Sequence, residues 1–170
     1  MITFWSRSKN PAHRYLSNFQ LLPYGLRIPS DFFISYMTGY TFPTVENAFQ
    51  ACKYAYSDNP LGIQELTCCS PREAKSMGSM GGMKKRGTTL DVETWNNVSF
   101  ECMSELIKLR FEQDSQFRET ILHTEDNFYH IETRPPYIWG GCMKYGKWIG
   151  QNRLGNILNR LKKRNLSKKI

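Results

Sequence analysis

The feature that most limits what this chain can fold into is a change of hydrophobic period at Thr44. From there Val45, Ala48, Phe49, Cys52, Ala55 and Tyr56 fall at i, i+3, i+4, i+7, i+10 and i+11, the repeat of one face of an α-helix. Pro43 precedes the run and Thr44 stands where a capping hydroxyl is wanted, so the spacing predicts an amphipathic helix starting there. The first 43 residues read differently: they are rich in aromatics and turn formers and hold one acid, Asp31. Alternation in Ile2-Thr3-Phe4-Trp5-Ser6 and the run Phe32-Phe33-Ile34-Ser35-Tyr36-Met37 predict short strands, interrupted by Pro23, Gly25, Pro29 and Gly39.

Downstream, Ser70-Pro71-Arg72-Glu73 combines a capping box with proline at the first helical position, and Gly78 is placed to close that helix. A flexible stretch from Gly78 to Thr89 leads to Asp91, a candidate cap for a central helix on which Trp95, Val98, Cys102, Leu106 and Leu109 keep helical spacing. Ser115 can start a shorter helix with Phe117, Ile121 and Leu122, and one strand is expected around Phe128 to Glu132. Prolines and paired glycines make Thr133 to Cys142 irregular, before a last helix with Leu154, Ile157, Leu158 and Leu161. The expected class is mostly α, an α+β single domain over 1–161 with a few short strands, followed by a basic tail over 162–170.

Composition narrows the function classes. A chain of 170 residues, 40% hydrophobic and 14% aromatic, is neither disordered nor collagen-like. No apolar run approaches the ~18 residues of a membrane span, and the start lacks a basic-then-apolar leader. Five cysteines, an odd number without C-x-x-C spacing, argue against a disulfide scaffold or zinc site and suit a reducing compartment. A soluble, cytoplasmic protein without membrane association is therefore expected. The net charge of +8 favours phosphate-bearing partners, nucleotide or nucleic acid, without choosing between them.

Among polar residues, Glu46, Gln50 and Lys53 are four and three apart and form one stripe beside the apolar face of the first long helix. Such a stripe either lines a cleft or is a solvated face. Trp139-Gly140-Gly141 offers a ring followed by backbone that a ligand can approach, and the glycines and amide of Gly146 to Asn152, just before a helix, suit a phosphate. Neither G-x-G-x-x-G nor a Walker A sequence occurs, and His13, His123 and His130 lie far apart, which disfavours a dinucleotide fold, a Ser-His-Asp hydrolase and the usual two-histidine metal sites.

Taken in order, Phe4-Trp5-Ser6, Leu16-Ser17-Asn18-Phe19, Phe42 to Lys53 with its P-T-x-E-x-x-F-Q-x-x-K pattern, Ser70-Pro71, Gly78, Trp95, Phe111, Trp139-Gly140 and Gly150-Gln151-Asn152-Arg153-Leu154-Gly155 resemble the YbiA-like, or NADAR, family over nearly the whole chain. The resemblance implies a small, largely helical cytoplasmic N-glycosidase that cleaves a ribose–nitrogen bond without a metal or other cofactor. It implies two substrate classes: phosphoribosylated pyrimidine intermediates of riboflavin synthesis, and ADP-ribose attached to a base such as guanine, including ADP-ribosylated nucleic acid. Its key glutamate falls on Glu46, and Lys53, two helical turns on, is placed to touch a phosphate or the leaving base.

The chemistry agrees with that implication, because breaking a C–N glycosidic bond builds positive charge on the sugar and calls for an oriented carboxylate. Substrate contacts are expected from Asn18, Phe19, Gln50, Asn152 and Arg153 through amide, ring and guanidinium groups, with Trp95, Trp139 and Gly140 shaping a base pocket. Relatives commonly carry an aspartate a few residues before the Trp-Gly pair. Here the stretch reads Pro135-Pro136-Tyr137-Ile138-Trp139-Gly140; if that aspartate serves as second acid, base or ribose clamp in relatives, either Glu132 or another carboxylate substitutes here, or substrate and mechanism have shifted. Two competing readings are a non-catalytic module that binds ADP-ribose or a related nucleotide, and general nucleic-acid binding through the basic tail.

Overall fold

The computed structural model of the chain describes residues 1–167. In chain order its elements are β1 (Ile2–Phe4), α1 (Pro11–Tyr15), β2 (Leu26–Arg27), β3 (Thr41–Phe42), α2 (Val45–Ala55), α3 (Ile63–Leu66), α4 (Pro71–Met77), α5 (Met80–Lys85), α6 (Val92–Gln113), α7 (Ser115–Leu122), β4 (Phe128–His130), β5 (Cys142–Lys144), β6 (Lys147–Ile149) and α8 (Arg153–Leu166), with short 3-10 turns at Ser35–Met37 and Pro60–Gly62. The mostly helical α+β class is what the structure shows. Residues group into two compact units: Leu21–Gln113, and Met1–Gln20 together with the chain from Asp114 onward.

In the unit Leu21–Gln113, α2 packs against α6, α4 and α3. Thr44 caps α2 as its position predicts, its hydroxyl accepting the Asn47 N–H at 3.1 Å. Val45, Ala48, Ala51 and Cys52 are fully enclosed. Helix α6 begins at the expected Asp91, which accepts the Thr94 N–H at 3.0 Å, and runs for 22 residues, about 33 Å. Cys52 of α2 and Cys102 of α6 are both fully buried and hydrogen-bond to each other; burial pushes the Cys52 thiol well above its usual range, so these thiols act as small core hydrophobes. The capping box at Ser70 is complete: Ser70 N–H donates to Glu73 Oε2 at 2.8 Å, and Glu73 N–H to Ser70 Oγ at 3.3 Å.

Two expectations in this unit are corrected. The run Phe32 to Met37 is a turn followed by 3-10 structure, with Phe32, Ile34 and Met37 buried and the Met37 N–H bonded to the Ile34 carbonyl at 3.0 Å. The stretch from Gly78 to Thr89, read as flexible, contains α5, capped by Ser79 and anchored by buried Met83. A Cβ on Gly82 would lie 1.9 Å from the Ser76 carbonyl oxygen, so that glycine serves close packing.

In the other unit, β1 and β4 pair in parallel, Ile2 opposite Phe128 and Phe4 opposite His130. Strands β5 and β6 form an antiparallel hairpin turned by Tyr145 and Gly146, both at positive φ, where the sequence reading placed no strands. Helix α8 abuts β4, and a Cβ on Gly155 would come within 2.3 Å of the Phe128 carbonyl oxygen and 2.4 Å of Asn152 Oδ1. The helix continues through Lys162, Lys163 and Arg164, which were assigned to the tail. Lys162 is buried, and its ammonium donates to the carbonyls of Glu125 and Asp126 at 3.2 and 2.6 Å. Lys168 and Lys169 lie outside the described residues.

The nearest neighbour facing Gly155 is backbone, which has no rotamer to change, and the Asn152 amide beside it is held by hydrogen bonds at both ends. Gly155→Ala should lower stability by about 1–3 kcal/mol through overpacking, read as a drop in the urea midpoint with unchanged slope.

Candidate functional site

The polar stripe of α2 faces the protein interior at its first two residues. Glu46 and Gln50 are 7% exposed, which rules out the solvated-face reading. Gln50 Nε2 donates to Glu46 Oε1 at 3.0 Å. Lys53, half-buried one turn on, donates from Nζ to the Gly78 carbonyl at 2.6 Å. Its ammonium lies 5.9 Å from the centroid of the Trp95 ring, a cation–π distance. Trp95 is buried, with Phe49 at 5.2 Å and Tyr56 at 6.4 Å between ring centroids, so its ring is chiefly a wall that positions Lys53. Tyr56 also lines an open cleft of about 550 Å³ floored by Ser57, Asp58, Thr89 and Asp91.

Burial raises the Glu46 carboxyl above the ordinary carboxylate range; Lys75, the Gln50 hydrogen bond and Lys53 each oppose that rise. Burial in turn lowers the Lys53 ammonium, opposed by Glu46. Lys75 was not singled out from the sequence. It stands on α4, five residues after the Ser70 cap, and no one-dimensional spacing relates it to Glu46, 29 positions earlier. Only the packing of α4 on α2 brings its charge to bear. A related signal was legible: Asn47, a polar residue between the apolar positions 45 and 48, is fully buried and donates to the carbonyls of Leu66 and Cys69 at 2.9 and 2.8 Å.

The other expected residues, Asn18, Phe19, Trp139, Gly140, Asn152 and Arg153, belong to the second unit. Asn18 is buried, while Phe19 is half-buried with its N–H on Ser17 Oγ. Asn152 is buried at φ 50° and is committed on both sides of its amide: Oδ1 accepts the His130 N–H and Nδ2 donates to the Phe128 carbonyl, each at 2.9 Å. Its side chain therefore fastens α8 to β4. Arg153 Nε donates to Gln151 Oε1 at 2.9 Å.

The phosphate cradle expected before the last helix is not formed by backbone. The N–H groups of Gln151, Asn152, Arg153 and Leu154 donate to the carbonyls of Tyr137, Gly140, Ile138 and Trp139 at 2.8 to 3.3 Å, so the donors a phosphate would need are engaged. The half-buried Trp139 ring is carried by that same loop. Glu132 meets the same loop, its Oε2 accepting the Gly140 N–H at 3.0 Å.

Comparison with known proteins gives a consistent picture. Residues 3–165 match the NADAR domain. The chain is 29% identical to the riboflavin biosynthesis protein PYRR, chloroplastic, of Zea mays over 154 residues, 86% of this chain and 22% of that one. It is 30% identical over 124 residues to the N-glycosidase YbiA of Shigella boydii and to that of Escherichia coli, covering 73% of this chain and 71% of each relative. The chain thus spans about a fifth of the maize protein and most of the bacterial ones.

The upward shift of the Glu46 carboxyl, caused by burial, couples to folding. Below the ordinary carboxylate range Glu46 is neutral in both folded and unfolded chains, and burial carries no charge penalty. As pH climbs through the unfolded value toward the raised folded one, the unfolded chain loses its proton first and stability falls. Glu46→Gln removes that dependence, so its stability relative to the parent should grow between pH 4 and pH 7, measured by urea unfolding at each pH.

Proposed function

Because this chain belongs to the NADAR domain family, we propose that it is an N-glycosidase hydrolysing the ribose–nitrogen bond of a phosphate-bearing substrate, with Glu46 as the reacting carboxylate. The observation that carries the reading is a single buried carboxyl held by Gln50 and acted on by two lysines, Lys53 and Lys75. Departure of a nitrogenous base leaves an oxocarbenium-like sugar, and an ionised Glu46 in a low-dielectric setting stabilises that charge and orients the incoming water. The lysines act in the same direction on Glu46, favouring its ionised form against burial.

Lys53 gives one hydrogen bond to Gly78, and an ammonium has three donors. The remaining capacity suits a substrate phosphate or the departing base. With a net charge of +8, the protein raises the local concentration of anionic ligands. Two substrate classes meet these demands: ADP-ribose linked to guanine, free or in nucleic acid, and a phosphoribosyl-aminopyrimidine. The names of the relatives, one an N-glycosidase and the other a riboflavin biosynthesis protein, support the reaction type and keep the second class in view.

Incubating the protein and Glu46→Gln with an ADP-ribosylated guanine oligonucleotide and, separately, with a phosphoribosyl-aminopyrimidine should release base and sugar, scored by mass spectrometry. Release by the parent should exceed that by the variant by at least about a hundredfold, the scale of losing one preorganised electrostatic group. Turnover that survives in the variant overturns the assignment of Glu46. Binding of ADP-ribose with no release from either substrate would favour the non-catalytic module.

A further inference from the structure

We infer that Gly78 is a positioning residue for Glu46: its missing side chain leaves the space in which the Gln50 carboxamide lies while it holds the Glu46 carboxylate. The inference deepens the reading of Glu46 as the reacting group and rests on it for its catalytic consequence. Gly78 closes α4 at φ −82° and ψ 0°, ordinary right-handed backbone that any L-residue adopts. Chain conformation therefore gives no reason for a glycine here.

Space does. A Cβ at residue 78 would lie 1.8 Å from Gln50 Oε1, 2.7 Å from Gln50 Cδ and 3.2 Å from Gln50 Cβ. The colliding atoms are the far end of a flexible side chain, so the collision is relieved by swinging the carboxamide away, which breaks the 3.0 Å bond from Nε2 to Glu46 Oε1. Among the described residues no other hydrogen bond anchors that carboxamide, since Gln50 Oε1 is buried and has no partner there. Its position is fixed by Glu46 on one side and the bare Cα of Gly78 on the other.

The same residue acts on the second member of the stripe, because its carbonyl accepts the Lys53 ammonium at 2.6 Å. The Gly78 N–H in turn bonds the Ala74 carbonyl at 3.0 Å, and Tyr54 Oη donates to the Met77 carbonyl at 3.3 Å, pinning the end of α4 to α2. The charged groups acting on Glu46 are Lys75 from α4 and Lys53 from α2 itself. One glycine at the end of α4 thus sets the reach of both Gln50 and Lys53.

The test is a carboxyl-carbon NMR titration of glutamate-labelled protein, with Glu46 assigned by the signal lost in Glu46→Gln. Three variants are compared: Gly78→Ala, Gln50→Ala and the double variant. Expulsion of the carboxamide removes a hydrogen bond that favours the ionised form, so the Glu46 midpoint should rise in Gly78→Ala, rise similarly in Gln50→Ala, and rise no further in the double variant. The thermal midpoint of Gly78→Ala should stay near the parent's, because the backbone suits alanine. On substrate, Gly78→Ala should lower kcat roughly ten- to a hundredfold with KM little changed, the signature of a misplaced reacting group.

An unmoved Glu46 midpoint in either single variant, or shifts that add in the double, overturns the inference. Should Gly78→Ala fail to fold, the double variant decides: with the colliding carboxamide gone it folds and titrates like Gln50→Ala, whereas a failure to fold shows that another group meets residue 78. The titration needs no substrate. Absence of turnover in the parent would therefore retire the glycosidase reading and leave the positional result to stand on its own.

Discussion

The buried carboxamide of Asn47 is the contact on which the candidate site depends. Thr44 Oγ1 donates to its Oδ1 at 2.6 Å, and its Nδ2 donates to the carbonyls of Leu66 and Cys69. Leu66 ends α3 and Cys69 lies between α3 and α4. Removing the amide would strand buried acceptors, each a matter of about 1–3 kcal/mol, so the first turn of α2 and the approach to α4 are fixed together. Glu46 adjoins Asn47 in that turn, and Lys75 and Gly78 follow on α4. That junction fixes the start of α2 and the approach to α4, while the bonds of Tyr54 to the Met77 carbonyl and of Lys53 to the Gly78 carbonyl fix the end of α4.

Glu46 is placed between opposing influences. Its position in the first turn of α2 favours negative charge through the helix dipole and unpaired amides, and Gln50, Lys53 and Lys75 favour it too. Burial acts the other way and is the larger effect. A carboxyl so balanced takes up and releases its proton closer to neutrality than an exposed glutamate, and that poise is found where proton inventory matters to function. An equally buried leucine would be more comfortable for the fold. The polar stripe is retained at the expense of core packing, as Gln50 Oε1, buried and without a partner, also indicates.

What could be read from the sequence was local. The Thr44, Ser70 and Asp91 caps each depend on residues within three positions of one another, and the helix periods depend on one face meeting a core. What could not be read depends on the third dimension. The run Phe32 to Met37 has strand-like composition, yet burial of Phe32, Ile34 and Met37 together with the turn after Pro29 imposes a 3-10 path. The glycines of α5 look like flexibility in one dimension, but Gly82 is small because the Ser76 carbonyl occupies its side-chain space. Asn152 looked like a substrate ligand because its motif precedes a helix, and its amide is instead used up on β4. For Glu46, Gln50 and Lys53 the spacing established the stripe, and only the packing of α4 decided that the stripe faces inward.

The charge balance at the stripe bears on catalysis against mere binding. A module that only held an anionic nucleotide would gain from Lys53 and Lys75 and lose from a carboxylate beside them. With Glu46 ionised, one negative group is still outnumbered by the two cations that act on it, so an anionic ligand remains tolerable while the carboxylate stays available. That combination suits a reaction in which phosphate has to be held and positive charge then grows nearby on a sugar. On the proposed reading the hydrogen bond from Gln50 and the space left by Gly78 serve the same end, because a carboxylate that must meet a reacting atom needs its direction fixed as well as its charge.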